Sequence, residues 1–386
     1  MMVVSAHFSP EIGYQETHLA RAFKRLGHDV CVLTSNIVSP LVKGFVDKKR
    51  YSAGVGEWEG VIVYRLPAVF SIGNSVFVNP VLMERVVRRE RPDLVVCIGI
   101  SKVFPVFLCP LQRRFGFKMG SIFGDNPHHR KEVGRMWASV RTQLKEFWFR
   151  CRLWVYREMM SHGKVLITTK EAEAFLRSLR VIPKGEEVSF LPLGFDSENF
   201  FYSREERKNT RMSLGIRDRD IVLGIIGKPH PKKRTLELLH LLEPVLKTEK
   251  RLFLWIVGLG KDEYSKRVER FVKRLGDKVR LSFFVPHGKL RGVFSAVDIG
   301  VWTQEAITIQ EAMGCGVFVI IPKKRTTEHL LAEEDGQFFS SMDAIPGVIM
   351  SILEEFPLGD RRRDDLSRKN RRFSYDEIAK RLLKEV

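Results

Sequence analysis

Residues 298–322 read DIGVWTQEAITIQEAMGCGVFVIIP, and their pattern decides the fold class. DIGVW at 298–302 is a short apolar run, GVFVIIP at 316–322 is a second, and a loop and two turns of helix fit between them. A helix that starts near Thr308 and runs through Ala312, Met313 and Gly314 completes a strand–helix–strand unit, the crossover that parallel strands require. Glu305 then falls in the strand-to-helix loop and Glu311 near the first helical turn. Two carboxylates in a loop are more often solvated surface than ligand, but their position after a strand's carboxyl end makes both glutamates binding candidates.

The same rhythm extends in both directions. Upstream in the second half lie DIVLGIIG (220–227), RLFLWIVG (251–258) and KVRLSFFV (278–285), separated by helix-length amphipathic sequence. The first half alternates MMVVSAHF, a helix around Gln15 to Leu26, HDVCVLTS, EGVIVYRL, a helix around Pro80 to Arg91, DLVVCIGI, KMGSIF and KVLITT. Short β-branched runs between helices predict mostly parallel sheets covered on both faces. At 386 residues the chain is too long for one ordinary core, so two doubly wound α/β domains are expected. The join is placed in the polar stretch FDSENFFYSREERKNTRMSLG (195–215), giving domains of 1–205 and 206–370. A closing helix over 371–386 follows, with Ser374 as N-cap and Ile378, Leu382 and Leu383 on one face.

Composition narrows the function classes. No window of 18 apolar residues and no basic leader before an apolar run are present, which argues against a membrane span or signal peptide. Five scattered cysteines suggest neither a disulfide framework nor a metal site, and a cytoplasmic location is expected, with peripheral contact at the inner face of the membrane. The net charge of +19 favours an anionic partner: phosphate ligands, nucleic acid or an anionic lipid surface. Nucleic acid is not expected, because no recognised module or basic stripe with interleaved aromatics covers the chain. The 65 basic and 46 acidic residues against 6 Gln and 7 Asn match a balance seen in proteins from hot environments.

In open α/β sheets, ligands sit at the carboxyl ends of the strands. After the first strand, Gly13 heads a helix, where backbone N–H groups can approach a phosphate. No G-x-G-x-x-G run is present, which weakens a nicotinamide reading. After DIVLGIIG comes KPHPKKR, whose Lys228, Lys232, Lys233 and Arg234 can neutralise a diphosphate. Residues 135–160 form a long helical pattern in which Leu144, Trp148, Cys151, Val155 and Met159 make a packing stripe. Phe147, Trp154, Arg150, Arg152 and Arg157 give that helix an aromatic and basic margin suited to anionic headgroups.

The segments GYQETHLARAFKRLGHDVCVLTS, FLPLGFDSENF, GKPHPKK and QEAITIQEAMGCGVFVI resemble, in order and spacing, the signatures of the retaining GT-B glycosyltransferases commonly called family 4. The resemblance implies two Rossmann-like domains facing a cleft and a nucleotide-sugar donor, UDP- or GDP-linked, bound mainly by the second domain. It places Glu311 on the ribose hydroxyls and Lys228 and Lys233 on the diphosphate. The family's paired glutamates are separated by seven residues; Glu305 lies only six positions before Glu311, so its match to the glutamate at the transferred sugar is irregular. Gly13 corresponds to the glycine loop facing the phosphate. Within FGDNPHHR, His128 takes the place of the histidine near the reacting sugar, with Asp125 and His129 as further substrate contacts. The implied activity is hexosyl transfer to a glycan or lipid-linked acceptor without a cofactor or protein-bound metal. The competing readings are an inverting GT-B transferase, a nucleotide-sugar epimerase, and a basic nucleic-acid- or anion-binding protein without catalysis.

Overall fold

Every run read as a strand is short and most are buried, and in the computed structural model each is paired in a parallel ladder. The structure describes residues 1–38, 51–72, 75–99, 103–124, 141–183, 185–332, 334–355 and 359–386. The chain divides into two compact units, Met1–Pro192 with Tyr375–Val386, and Leu193–Ser374.

The first unit is built on β1 (Met2–Ser5), β2 (Cys31–Ser35), β3 (Gly54–Trp58), β4 (Val61–Leu66), β7 (Leu94–Ile98), β8 (Lys118–Phe123), β9 (Lys164–Ile167) and β10 (Ser189–Phe190), with a separate hairpin of β5 (Ala68–Ile72) and β6 (Ser75–Val78). The sheet order is β10-β9-β8-β7-β1-β2-β4-β3, and only the edge strand β3 runs antiparallel. Helices α1 (Gln15–Arg25), α2 (Pro80–Glu90), α3 (Cys109–Phe115), α4 (Arg141–His162) and α5 (Lys170–Ser178) cover it. Period-two alternation sorts the strands cleanly: Val3, Val32 and Val96 pack on one face with Leu19 and Phe23 of α1, while Val4, Leu33 and Val95 pack on the other with Val155 and Met159 of α4.

The second unit is a six-stranded, all-parallel sheet in the order β13-β12-β11-β14-β15-β16, from β11 (Ile221–Ile226), β12 (Leu252–Leu259), β13 (Val279–Phe283), β14 (Ile299–Val301), β15 (Phe318–Pro322) and β16 (Gly336–Phe339). Its helices are α6 (Arg204–Ser213), α7 (Thr235–Thr248), α8 (Glu263–Val272), α9 (Leu290–Ala296), α10 (Thr308–Gly314), α11 (Ile345–Glu355) and α12 (Asp360–Asn370). The polar stretch read as an irregular join is partly helical, because Ser203 accepts from Glu206 N at 3.2 Å and caps α6. That helix buries a charge: Arg211 bonds to Asp298, which also pairs with Arg207 at 2.8 Å and Arg363 at 3.5 Å and accepts from Val222 N at 2.7 Å. The last helix, α13 (Tyr375–Glu385), returns to the first unit and packs Ile378, Ala379 and Leu382 against α1.

Candidate active site

In the second sheet the strand order reverses between β11 and β14, and ligands of open α/β sheets bind outside the carboxyl ends at such a switch point. A small cavity lies there, walled by Gly227 and Lys233 after β11, by Trp302, Thr303 and Gln304 after β14, and by Thr235 at the start of α7.

Lys233 is aimed by its backbone. The segment after β11 makes a single turn, Pro231–Lys233, in which Lys233 N donates to His230 O at 2.9 Å, and Arg234 then takes a left-handed conformation (φ 52°) before α7 begins. Thr303 Oγ1 donates to Lys233 O at 2.6 Å and ties the β14 loop to the β11 loop. The ammonium sits close to the strand end, since a Cβ on Gly227 would lie 3.0 Å from Lys233 Nζ. Burial lowers the Lys233 pKa, and it forms no ion pair among the described residues. The neighbouring cations differ. Lys228 is exposed and pairs with Asp262 at 3.1 Å; a bond from Ser265 N and that lysine hold the Asp262 carboxyl down to about 2. Arg234 is taken up by Glu237, and Lys232 is exposed.

The two glutamates part company. Neither walls the cavity, and Glu305 stands exposed in the loop between β14 and α10. Glu311 is 4% exposed, on a helix whose Ile309, Ala312 and Met313 are wholly buried. Its Oε1 lies 2.7 Å from His287 Nε2. Its Oε2 is buried with no hydrogen-bond partner among the described residues. The Glu311 contact raises the His287 pKa, with a smaller push from Asp196. His287 carried no sequence signal: it sits in a Pro-His-Gly-Lys loop 24 residues from its partner.

In the first unit, Gly13 adopts φ 66°, a left-handed conformation that a side chain disfavours, and its N–H donates to Pro10 O at 3.3 Å just ahead of α1. It follows β1 at that sheet's own switch point, between β1 and β7. Asp125, His128 and His129 lie outside the described residues. Cys109, Glu158 and His162 also come together, with ligand atoms within 4.8 Å of one another. The His162 ring bonds its own helix through Glu158 O at 2.8 Å, and burial pushes the Cys109 thiol up to about 12, so the trio reads as packing between α3 and α4.

Known proteins were then compared with this chain. Residues 206–372 match the model of the glycosyl transferases group 1, and residues 12–194 match that of the glycosyl transferase 4-like domain. Among solved structures, sucrose-phosphate synthase from Thermosynechococcus elongatus superposes with a TM-score of 0.67 at 19% identity, covering 99% of this chain and 97% of that one. HepE of Anabaena in complex with UDP gives 0.66 at 16% identity, covering 99% and 98%. WaaG, a glycosyltransferase involved in lipopolysaccharide biosynthesis, gives 0.62 at 16% identity, covering 100% and 99%. None of the curated proteins matches the sequence. The two domain models succeed one another along nearly the whole chain, and the chain belongs to the group 1 glycosyltransferases, nucleotide-sugar-dependent enzymes with the GT-B fold.

Proposed function

We propose that this glycosyltransferase is a retaining enzyme that passes a hexosyl group from a UDP- or GDP-linked donor to a hydroxyl of a glycan or lipid-linked acceptor. The observation that carries the donor side is Lys233, a partly desolvated ammonium facing the switch-point cavity and paired with no carboxylate among the described residues. A group in that state gains most from a diphosphate. The bond from the sugar's anomeric carbon to the donor oxygen breaks, the diphosphate leaves with the electron pair, and the acceptor oxygen bonds to the same carbon and gives its proton to the departing diphosphate oxygen. Charge grows on the leaving group as this happens, so Lys233, joined by Lys228, lowers the barrier more than it tightens the ground state. Glu311 offers its unpartnered Oε2 to the ribose hydroxyls. Glu305, exposed beside the cavity, is assigned to the transferred sugar, Gly13 to the donor phosphate, and Asp125, His128 and His129 to the reacting sugar and further substrate contacts.

Uridine is favoured as the base by analogy with HepE, which is seen in complex with UDP and UDP-glucose. An anionic bilayer surface is the proposed place of work. No helix among the described residues is long and apolar enough to cross a membrane. Trp154 on α4 is 55% exposed and flanked by exposed Arg150 and Arg157. The test is a panel of UDP-, GDP- and ADP-sugars with release of nucleoside diphosphate as the readout, followed by NMR of the product's anomeric proton. An α-linked product from an α-linked donor is expected. A β-linked product would replace the retaining reading with an inverting one.

A further inference from the structure

We infer that His287 is a positioning residue, which locks the Glu311 carboxylate so that only Oε2 is offered to the ligand; this rests on the reading that Glu311 receives the donor's ribose. A buried carboxylate is costly unless both oxygens find donors. In Glu311 one oxygen is satisfied, 2.7 Å from His287 Nε2, and the other is buried and unsatisfied. Native proteins rarely leave such a group idle, so the vacant acceptor points to a hydroxyl or N–H donor brought by a ligand.

The ring is held from three directions. Pro286 sets the chain ahead of it, and Lys289 N donates back to Pro286 O at 2.8 Å, closing the turn His287–Lys289. The ring of Phe200 meets it edge-on, with centroids 5.1 Å apart at 64°. Glu311 takes its Nε2. Phe200 and Glu311 both meet the imidazole, and the bond to Nε2 restrains rotation of the carboxyl group. The free oxygen is thereby fixed before the ligand arrives, which is what binding to two adjacent hydroxyls at one fixed place requires. The chemistry that recognises this acceptor is a vicinal diol, as in a ribose.

The experiment compares UDP with 2′,3′-dideoxy-UDP, by calorimetry, in wild type, Glu311→Ala, His287→Ala and His287→Gln. The wild type is expected to prefer the diol nucleotide by about ten-fold or more, the scale of one hydrogen bond to a charged group. Glu311→Ala should erase the preference by weakening only the diol form. His287→Ala should erase most of it in the same way, and His287→Gln, which keeps an N–H donor, should restore part. A Glu311→Ala protein that still prefers the diol would overturn the ribose reading itself. If Glu311→Ala erases the preference while His287→Ala keeps it, Glu311 needs no positioning and the inference falls. It falls equally if His287→Ala weakens both nucleotides alike, since that marks a purely structural residue. Should His287→Ala fail to fold, the glutamine variant decides by the same comparison.

Discussion

At the residue scale, charge separates the two lysines that the sequence could not rank. Lys233 lines the cavity with its ammonium partly desolvated, while Lys228 is exposed and already paired with Asp262 at 3.1 Å. Lys233→Ala is therefore expected to lower kcat/KM by about ten- to hundred-fold, the worth of a charge-assisted contact, with the larger share in kcat. Lys228→Ala should cost less, because its charge must leave a carboxylate to reach a phosphate. Equal losses would show that both ammonium groups stand on the diphosphate from the outset. The pKa carries a sign as well. Burial holds the Lys233 pKa below its usual 10.5, so the free site sheds its proton at lower pH than an exposed lysine, whereas a bound diphosphate favours the charged form. Nucleotide affinity should then weaken as pH rises toward that range, and Lys233→Ala should flatten this limb. A limb that persists in Lys233→Ala belongs to another group. The glutamates differ in the same concrete way. Glu311→Ala should weaken nucleotide binding by about ten-fold or more, the worth of a hydrogen bond to a charged group, and Glu305→Ala should slow turnover with nucleoside diphosphate affinity kept. If calorimetry gives the reverse, the two roles are exchanged.

At the element scale, the buried charge of the second unit is the feature most exposed to a single change. Asp298 joins Arg207 and Arg211 around α6 to Arg363 of α12, and Arg363 also donates to Ser295 O, Phe294 O and Cys315 O. Asp298→Ala leaves the buried Arg211 and Arg363 without their carboxylate, while Arg207 keeps Asp360 at 3.5 Å, at a cost of about 3–5 kcal/mol. Denaturant unfolding should register that loss, and Asp298→Asn, which keeps an acceptor, should lose less; a loss below about 1 kcal/mol for the alanine variant would show that water reaches the cluster. The same cluster explains what the sequence concealed. The apolar pattern, continuous rather than alternating, exposes β1, β2, β11 and β15, because their side chains are buried on both faces. It conceals α6, whose only buried side chain is Arg211, so that a polar, charged stretch folds as a helix with no hydrophobic stripe. It also conceals β3, an edge strand with four exposed positions in five. In the site, the basic loop and the switch-point strands were legible, since both depend on local sequence. The pairing of Glu311 with His287 was not, because a contact across 24 residues leaves no periodic trace.

At the scale of the whole molecule, the chain returns to its beginning: after the second unit, Tyr375–Val386 rejoins the first. There α13 places Ile378, Ala379 and Leu382 against Leu19, Phe23 and Val32, and Asp376 pairs with Arg25 at 2.7 Å. Deleting residues 375–386 should therefore destabilise the first unit while nucleotide binding by the second survives; loss of nucleotide affinity with an undisturbed first unit would reverse that assignment. Net charge belongs to this scale too. At +19 the protein attracts any anionic surface, yet attraction through exposed side chains is screened over about 8 Å at physiological salt and about 3 Å at 1 M. A polybasic surface gains about 1 kcal/mol per Lys or Arg near an anionic leaflet, so many weak contacts sum to reversible binding that salt removes. The expectation is flotation with phosphatidylglycerol vesicles at low salt, loss of that binding by a few hundred millimolar salt, and none with phosphatidylcholine. Trp154→Ala tests where the surface meets the lipid. An aromatic ring 55% exposed between Arg150 and Arg157 adds burial at the headgroup level that salt does not screen. Its removal should weaken binding at every salt concentration, whereas removal of a neighbouring arginine should reduce the salt dependence. If neutral and anionic vesicles float the protein equally, charge is not what holds it to the lipid, and if neither floats it the acceptor must be sought in solution.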